Sequence, residues 1–268
     1  MKQVRPKKNL GQHFLTDLSI AKRIADTVDS CPDLPVLEVG PGMGVMTQYL
    51  TEKPRPFKVV EIDRESVIYL NEHFPRLRDN IIGGDFLRMD LRTVFDGQQF
   101  VLTGNYPYDI SSQIFFKMLD NRDLIPCCTG MIQREVALRM ASIPGSKEYG
   151  ILSVLTQAWY DVEYLFTVEP DVFNPPPKVK SAVIRMTRNK VQELGCDETL
   201  FKRVVKTTFN QRRKMLRASL RQIFDAQHPA RPEFFQQELM TQRPEQLTVK
   251  EFTELTNLVE KELCAGTF

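Results

Sequence analysis

Four clusters of residues have types that could do chemistry together. They are Gly40-Pro41-Gly42-Met43-Gly44, then Glu61, then Asp85, then Asn105-Tyr106-Pro107-Tyr108. Each follows a short apolar run, and the four fall at similar intervals along the chain. Glycines let backbone approach a ligand closely and take turns that a side chain forbids. An acid at the end of the next run can accept hydrogen bonds from both hydroxyls of a ribose. Asp85 can accept from the exocyclic amine of a bound adenine, and Tyr108 offers an aromatic face to a base. Pro107 stiffens the turn between Asn105 and Tyr108. Taken singly, glycine clusters and strand-end acids are ordinary turn and cap residues.

The elements that must position these groups are legible in the apolar pattern. Val36-Leu37-Glu38-Val39, Lys58 to Asp63, Asn80-Ile81-Ile82, Phe100 to Thr103 and Cys128 to Gln133 read as strands. Helical patterns run through Tyr49-Leu50, Glu65 to Phe74, Ile114 to Leu119 and Arg134 to Ala141. Ahead of them, Thr16 is expected to cap a helix whose apolar face is Leu18, Ala21, Ile24, Ala25 and Val28. The alternation predicts a parallel α/β sheet with helices on both faces. Ligands of such sheets bind outside the carboxyl ends of the strands, which puts all four clusters on one rim. Val162 to Val168 and Ala182 to Met186 flank the Pro-rich Phe173 to Lys178 and predict an antiparallel edge hairpin. Beyond Arg188 the spacing is helical, through Leu200 to Thr208, Met215 to Ile223 and Leu247 to Leu263. The expected organisation is a sheet domain over 1–190 and a small all-helical domain over 191–268.

Composition narrows the class. The 268 residues are 42% hydrophobic and 26% charged, as in an ordinary globular protein. No apolar run is long enough for a membrane span, and Met1 to Asn9 is too polar for a signal peptide, so a cytoplasmic location is expected. The five cysteines include no C-x-x-C pair and only three histidines accompany them. No metal site is expected, and the cysteines are expected to be reduced thiols. The net charge is only +2, but basic residues are clustered without interleaved acids in Met1 to Lys8 and in Lys202 to Arg221. Such blocks are footprints for an anionic partner. Arg212, Arg213 and Lys214 are consecutive and cannot share one helix face, so a turn or helix start is expected there.

The glycine spacing separates cofactor classes. The dinucleotide fingerprint is G-x-G-x-x-G. Gly40, Gly42 and Gly44 give G-x-G-x-G instead, which disfavours a NAD-dependent oxidoreductase. That spacing fits methyltransferases that bind S-adenosylmethionine, a ligand without phosphate. Asn105-Tyr106-Pro107-Tyr108 resembles the Asn-Pro-Pro-Tyr and Asn-Leu-Pro-Tyr motifs of methyltransferases that modify exocyclic amines. The adenine N6 lone pair is delocalised and weakly nucleophilic. An Asn carbonyl beside a backbone carbonyl can accept both N6–H bonds and favour a more tetrahedral nitrogen, with no strong base required.

The order of motifs then resembles one family. Asn9-Leu10-Gly11-Gln12-His13-Phe14-Leu15, Leu37 to Gly44, Gly84-Asp85-Phe86, Gly104 to Tyr108, Val172 to Ser181 and Phe209 to Lys214 follow the pattern of the KsgA/RsmA family of ribosomal RNA small-subunit adenine dimethyltransferases. His13 stands where that family usually has Asn, and Tyr106 where it usually has Leu. The resemblance implies a Rossmann-like S-adenosylmethionine-dependent methyltransferase sheet followed by a helical rRNA-docking domain. It implies cofactor contacts at His13, Leu15, Gly40, Glu61, Asp85 and Asn105, with S-adenosylhomocysteine as product. Asn105 and Tyr108 would hold the target base, with Phe173 closing on its other face. Arg212, Arg213, Lys214 and Arg217 would dock rRNA. The implied reaction is dimethylation at N6 of two adjacent adenosines near the 3′ end of 16S rRNA, by a monomer acting on the 30S subunit late in its assembly. Two alternatives share the fold: a large-subunit rRNA dimethyltransferase of the macrolide-resistance type, and a non-enzymatic nucleic-acid-binding protein.

Overall fold

The computed structural model describes Lys7 and residues 13–265. Asn9 to Gln12 of the first motif, and the basic arm apart from Lys7, lie outside the described residues.

The strands are β1 (Phe14–Leu15), β2 (Val36–Val39), β3 (Phe57–Glu61), β4 (Ile81–Gly83), β5 (Val101–Thr103), β6 (Cys127–Gln133), β7 (Tyr160–Val168), β8 (Phe173–Asn174) and β9 (Ser181–Arg188). The helices are α1 (Leu18–Asp26), α2 (Thr47–Leu50), α3 (Arg64–His73), α4 (Ser111–Asp120), α5 (Arg134–Ala141), α6 (Ile151–Gln157), α7 (Glu198–Phe209), α8 (Leu216–Ser219) and α9 (Val249–Ala265).

Among the described residues, seven strands form one sheet in the order β4-β3-β2-β5-β6-β9-β7. Neighbours from β4 to β6 are parallel. Their residues are nearly continuous apolar runs because helices cover both faces. The chain leaves β2 towards β3 and β4, then crosses back to β5 on the other side. That reversal opens a crevice at the carboxyl ends of β2 and β5, where the glycine loop and Asn105 emerge.

The expected edge hairpin is present as neighbouring strands β7 and β9. It is β9 that pairs antiparallel with β6, from Cys127 opposite Thr187 to Gln133 opposite Ser181, which leaves β7 outermost. The Pro-rich connection also contributes β8, which pairs antiparallel with β1 through Leu15 opposite Phe173. The chain therefore ties its start to the connection before β9.

Three expectations are corrected. Asp17, not Thr16, caps α1, accepting from the backbone N–H groups of Ser19 and Ile20 at 2.8 and 3.2 Å. Thr16 instead donates its hydroxyl to the Val172 carbonyl at 2.9 Å. Cys31 and Cys127 are joined as a disulfide with Cα atoms 5.9 Å apart, a usual span for that bond. The turn after α1 packs on β6, where Thr129 donates to Thr27 at 2.7 Å, and this delivers Cys31 to the strand. Cys128, Cys196 and Cys264 are free. Finally, the chain divides into compact units of 1–138 with 161–188, and 139–160 with 189–268. A single cut at 190 misassigns 139–160. That stretch contains α6, a helix of seven residues with three β-branched side chains and no side-chain cap, so its sequence gives little helical signal.

Within the second unit α7 packs against α6 and α9. Phe201, Val204 and Val205 of α7 and Phe252, Leu255 and Val259 of α9 are fully buried. Among the described residues no helix is long and apolar enough to cross a membrane.

Candidate active site

The three loop glycines have φ values of +68° (Gly40), +55° (Gly42) and +79° (Gly44), a region that disfavours any side chain. Space forbids one as well at Gly44, where a Cβ would lie 2.5 Å from the Phe74 ring. The loop thus presents bare backbone to the crevice.

Glu61 ends β3 and is buried. One carboxylate oxygen accepts the Gly42 N–H at 2.9 Å and the other the Asp63 N–H at 2.8 Å. Burial raises its pKa, opposed by those two backbone donors. Glu61 therefore braces the glycine loop as well as facing the crevice. Asp63 caps α3 and is paired with Lys7 at 2.6 Å. Asp85 follows β4 and accepts the Leu87 N–H at 2.9 Å. Its loop is strapped by Lys117 of α4, whose ammonium donates to the Leu87 carbonyl at 3.0 Å and the Met89 carbonyl at 2.5 Å.

The Asn105–Tyr108 segment is fixed by β6. Tyr106 donates its N–H to the Met131 carbonyl at 3.0 Å, and Met131 donates to the Gly104 carbonyl at 2.9 Å. The Tyr106 side chain is fully buried, edge-on to Phe115, with its hydroxyl donating to the Thr129 carbonyl at 3.0 Å. The hydroxyl is also 3.2 Å from the Cys128 sulfur. The ring sits in a slot made by two glycines. A Cβ on Gly130 would meet the ring at 2.7 Å and the Gly104 carbonyl at 2.3 Å. A tyrosine in place of the family's usual leucine is thus accommodated with its polar tip satisfied.

Asn105 is half-buried, and its side-chain N–H group points to the His13 carbonyl at 3.5 Å. That leaves its carbonyl oxygen as the acceptor. The Tyr108 hydroxyl is hydrogen-bonded to the Ser181 hydroxyl, and its ring stacks on His13 with centroids 5.7 Å apart. Burial raises the pKa of the Tyr108 phenol. His13 is itself held through Nδ1, 2.8 Å from the Pro175 carbonyl.

One cavity of about 590 Å³ is lined by His13, Leu15, Gly40, Glu61, Asp85, Asn105 and Tyr108. Seven sequence-selected residues therefore converge. Phe173 does not. It is buried in the core beside its strand partner Leu15 and is not part of that lining.

The basic cluster lies in the second unit, with Arg212, Arg213 and Lys214 in the turn between α7 and α8, as their consecutive charges require, and Arg217 in α8. Arg212 differs from its neighbours. Its guanidinium donates to Glu245 at 2.7 Å and to the Ser146 carbonyl at 3.0 Å, so internal partners take it out of the free cluster. Arg213, Lys214 and Arg217 are exposed.

The chain matches the ribosomal RNA adenine dimethylase family over residues 3–261. It belongs to that family. It is 69% identical over 260 residues to the ribosomal RNA small subunit methyltransferase A of Phocaeicola vulgatus, covering 97% of this chain and 91% of that one. It is 67% identical over 267 residues to the protein of the same name from Bacteroides thetaiotaomicron, covering 100% and 98%. Its fold is similar to a dimethyladenosine transferase from Plasmodium falciparum, with TM-score 0.78, 22% identity and coverage of 93% and 98%. The 23S rRNA methyltransferase ErmE follows with TM-score 0.63, 27% identity and coverage of 92% and 99%.

As a member of this family the chain is a S-adenosylmethionine-dependent rRNA methyltransferase, and its cavity suits that cofactor. The bare glycine backbone leaves room for close approach, and Glu61 and Asp85 each retain acceptor capacity towards the cavity.

Sequence reasoning missed several residues of this dimethylase. Glu38 lines the same cavity and is buried within β2, accepting the Thr47 hydroxyl at 2.7 Å. Burial pushes its carboxyl up to about 8. An acid inside the run Val36-Leu37-Glu38-Val39 was the available signal. Lys117 gave none and Ser181 only its place at the end of a motif, because their partners are distant in sequence.

Proposed function

We propose that this enzyme dimethylates N6 of two adjacent adenosines in the hairpin near the 3′ end of 16S rRNA. Its substrate is the 30S subunit or a late assembly intermediate, and it works as a cytoplasmic monomer. The observation that supports this most is the 69% identity, over 97% of the chain, to a protein named for the small ribosomal subunit.

Glu61 would hold the ribose hydroxyls of S-adenosylmethionine, Asp85 its adenine amine, and Gly40, His13 and Leu15 the rest of its surface. When bound, that cofactor supplies an electrophilic methyl group and becomes S-adenosylhomocysteine. The target adenine would be extruded from its strand and stacked on Tyr108. The Ser181 hydroxyl fixes the ring plane by holding the phenol. Asn105 Oδ1 accepts an N6–H and aims the nitrogen lone pair at the methyl. The N6 proton becomes acidic only after transfer and is then lost to solvent, so Asn105 orients it and need not remove it. The second methylation uses the same acceptor on the remaining N6–H. Arg213, Lys214 and Arg217 would hold phosphates of the docked rRNA.

The test is transfer of labelled methyl groups from S-adenosylmethionine to under-methylated small subunits. Dimethyladenosine at two adjacent positions is expected. Labelling of large-subunit rRNA alone would favour the macrolide-resistance type, and no labelling of either would favour a binding protein.

A further inference from the structure

We propose that the helical unit has one composite RNA-docking surface, built from the loop at residues 142–147 and the segment 210–217, which is the turn after α7 and the start of α8. In it, Ile143 and Met215 pack against ribose and base surface while Lys147, Arg213, Lys214 and Arg217 take flanking phosphates. This rests on the rRNA substrate proposed above and extends it to a loop that no motif marks.

Ile143 is 71% exposed and Met215 is 39% exposed. A single exposed apolar side chain means little. Here both sit on turns that are tied to each other. Arg212 donates to the Ser146 carbonyl at 3.0 Å and to Glu245 at 2.7 Å, while the Gly145 N–H donates to the Glu245 carbonyl at 2.7 Å. The loop is closed by the Ser146 N–H on the Ile143 carbonyl at 3.2 Å, and Gly145 has φ of +85°. Ile143 is therefore presented outward by a fixed backbone, not by a slack one. Lys147, Arg213, Lys214 and Arg217 are exposed on or beside these two tied segments, as is the acid Glu148 next to Lys147. An apolar side chain held out among cations suits a polyanion with flat apolar faces, which describes RNA better than a protein or a lipid headgroup. Arg212 is a positioning residue here. It acts by joining the two turns and not by touching phosphate.

The experiment compares binding of under-methylated small subunits across a salt series. Ile143→Ser should weaken binding three- to tenfold with an unchanged salt slope, and Ile143→Leu should restore it. Arg213→Ala should instead flatten the slope by about 1. Arg212→Ala should weaken binding and speed hydrogen exchange at residues 142–147. Calorimetry with S-adenosylmethionine should give wild-type affinity for every variant, which shows that the sheet unit is folded. If wild type binds subunits and Ile143→Ser binds them equally, the composite surface is overturned and the rRNA reading stands. If wild type fails to bind small subunits at all, both fall.

Discussion

The cavity rim and the basic turn are both polar regions, but they are organised in opposite ways. At the rim, Glu61 is buried and both of its oxygens hold backbone N–H groups. Asn105, Tyr106 and Tyr108 are likewise fixed by hydrogen bonds to β6, His13 and Ser181. At the basic turn only Arg212 is fixed, while Arg213, Lys214 and Arg217 reach into solvent. The difference follows from the task. Aiming a nitrogen at a methyl group needs preorganised acceptors. Holding phosphates needs charge, and tolerates mobile side chains because it reads no sequence. Substitutions at the rim should therefore change chemistry or stability, and substitutions at the turn should change salt dependence.

The largest effect expected is at Asn105. Asn105→Ala removes the side-chain acceptor proposed for the substrate amine, and turnover should fall by roughly 10²–10³, as for loss of a preorganised polar group elsewhere. Affinity for S-adenosylmethionine should change much less. Single-turnover methylation beside calorimetry separates the two, and an Asn105→Ala enzyme with near-normal turnover would break the preorganised side of the comparison. Next comes Gly130→Ala. Its Cβ would lie 2.3 Å from the Gly104 carbonyl at φ of +147°, so β6 must move and loosen Tyr106. A loss of about 2–4 kcal/mol is expected in urea unfolding.

How much of this was legible varies with the physics. Gly40, Gly42 and Gly44 were readable because backbone conformation and space exclude any other residue there. The parallel α/β sheet was readable because strand and helix patterns alternate along the chain. The burial of Phe173 was not readable, because it depends on pairing with β1, a contact between chain positions far apart. Arg212 was grouped with its neighbours because a charge run does not show which member will find an acid, here Glu245. The 139–160 stretch joined the wrong domain for the same reason, since its packing against α7 is not written in its own residues.

A further effect at the rim depends on pH. Burial raises the Glu38 carboxyl from 4.5 to about 8. Between those values the folded chain keeps a proton that the unfolded chain has released. Stability therefore falls as pH rises through that window, by at most about 1.4 kcal/mol per pH unit. Glu38→Gln keeps a carbonyl for the Thr47 hydroxyl and cannot ionise. Its stability advantage over wild type should grow from pH 5 to pH 8 in thermal unfolding. An advantage that stayed constant across that range would show that Glu38 does not titrate there.

The smallest effects make the sharpest contrast. Tyr106→Phe keeps the ring in its glycine slot and removes one hydroxyl, leaving the Thr129 carbonyl without that donor. The cost should be about 1 kcal/mol, or roughly 2–4 °C in melting temperature for a chain of this size. Arg213→Ala removes an exposed charge with no internal partner among the described residues, and the melting temperature should stay where it is. The salt series reverses the ranking. Tyr106→Phe should leave the slope of subunit binding untouched, because nothing it alters meets phosphate, whereas Arg213→Ala should flatten it by about 1. Measuring both variants by both methods gives four numbers, of which two should move. If Arg213→Ala lowered the melting temperature and left the slope alone, the turn would be built like the rim, as internal structure, and the division of labour between the two regions would fail.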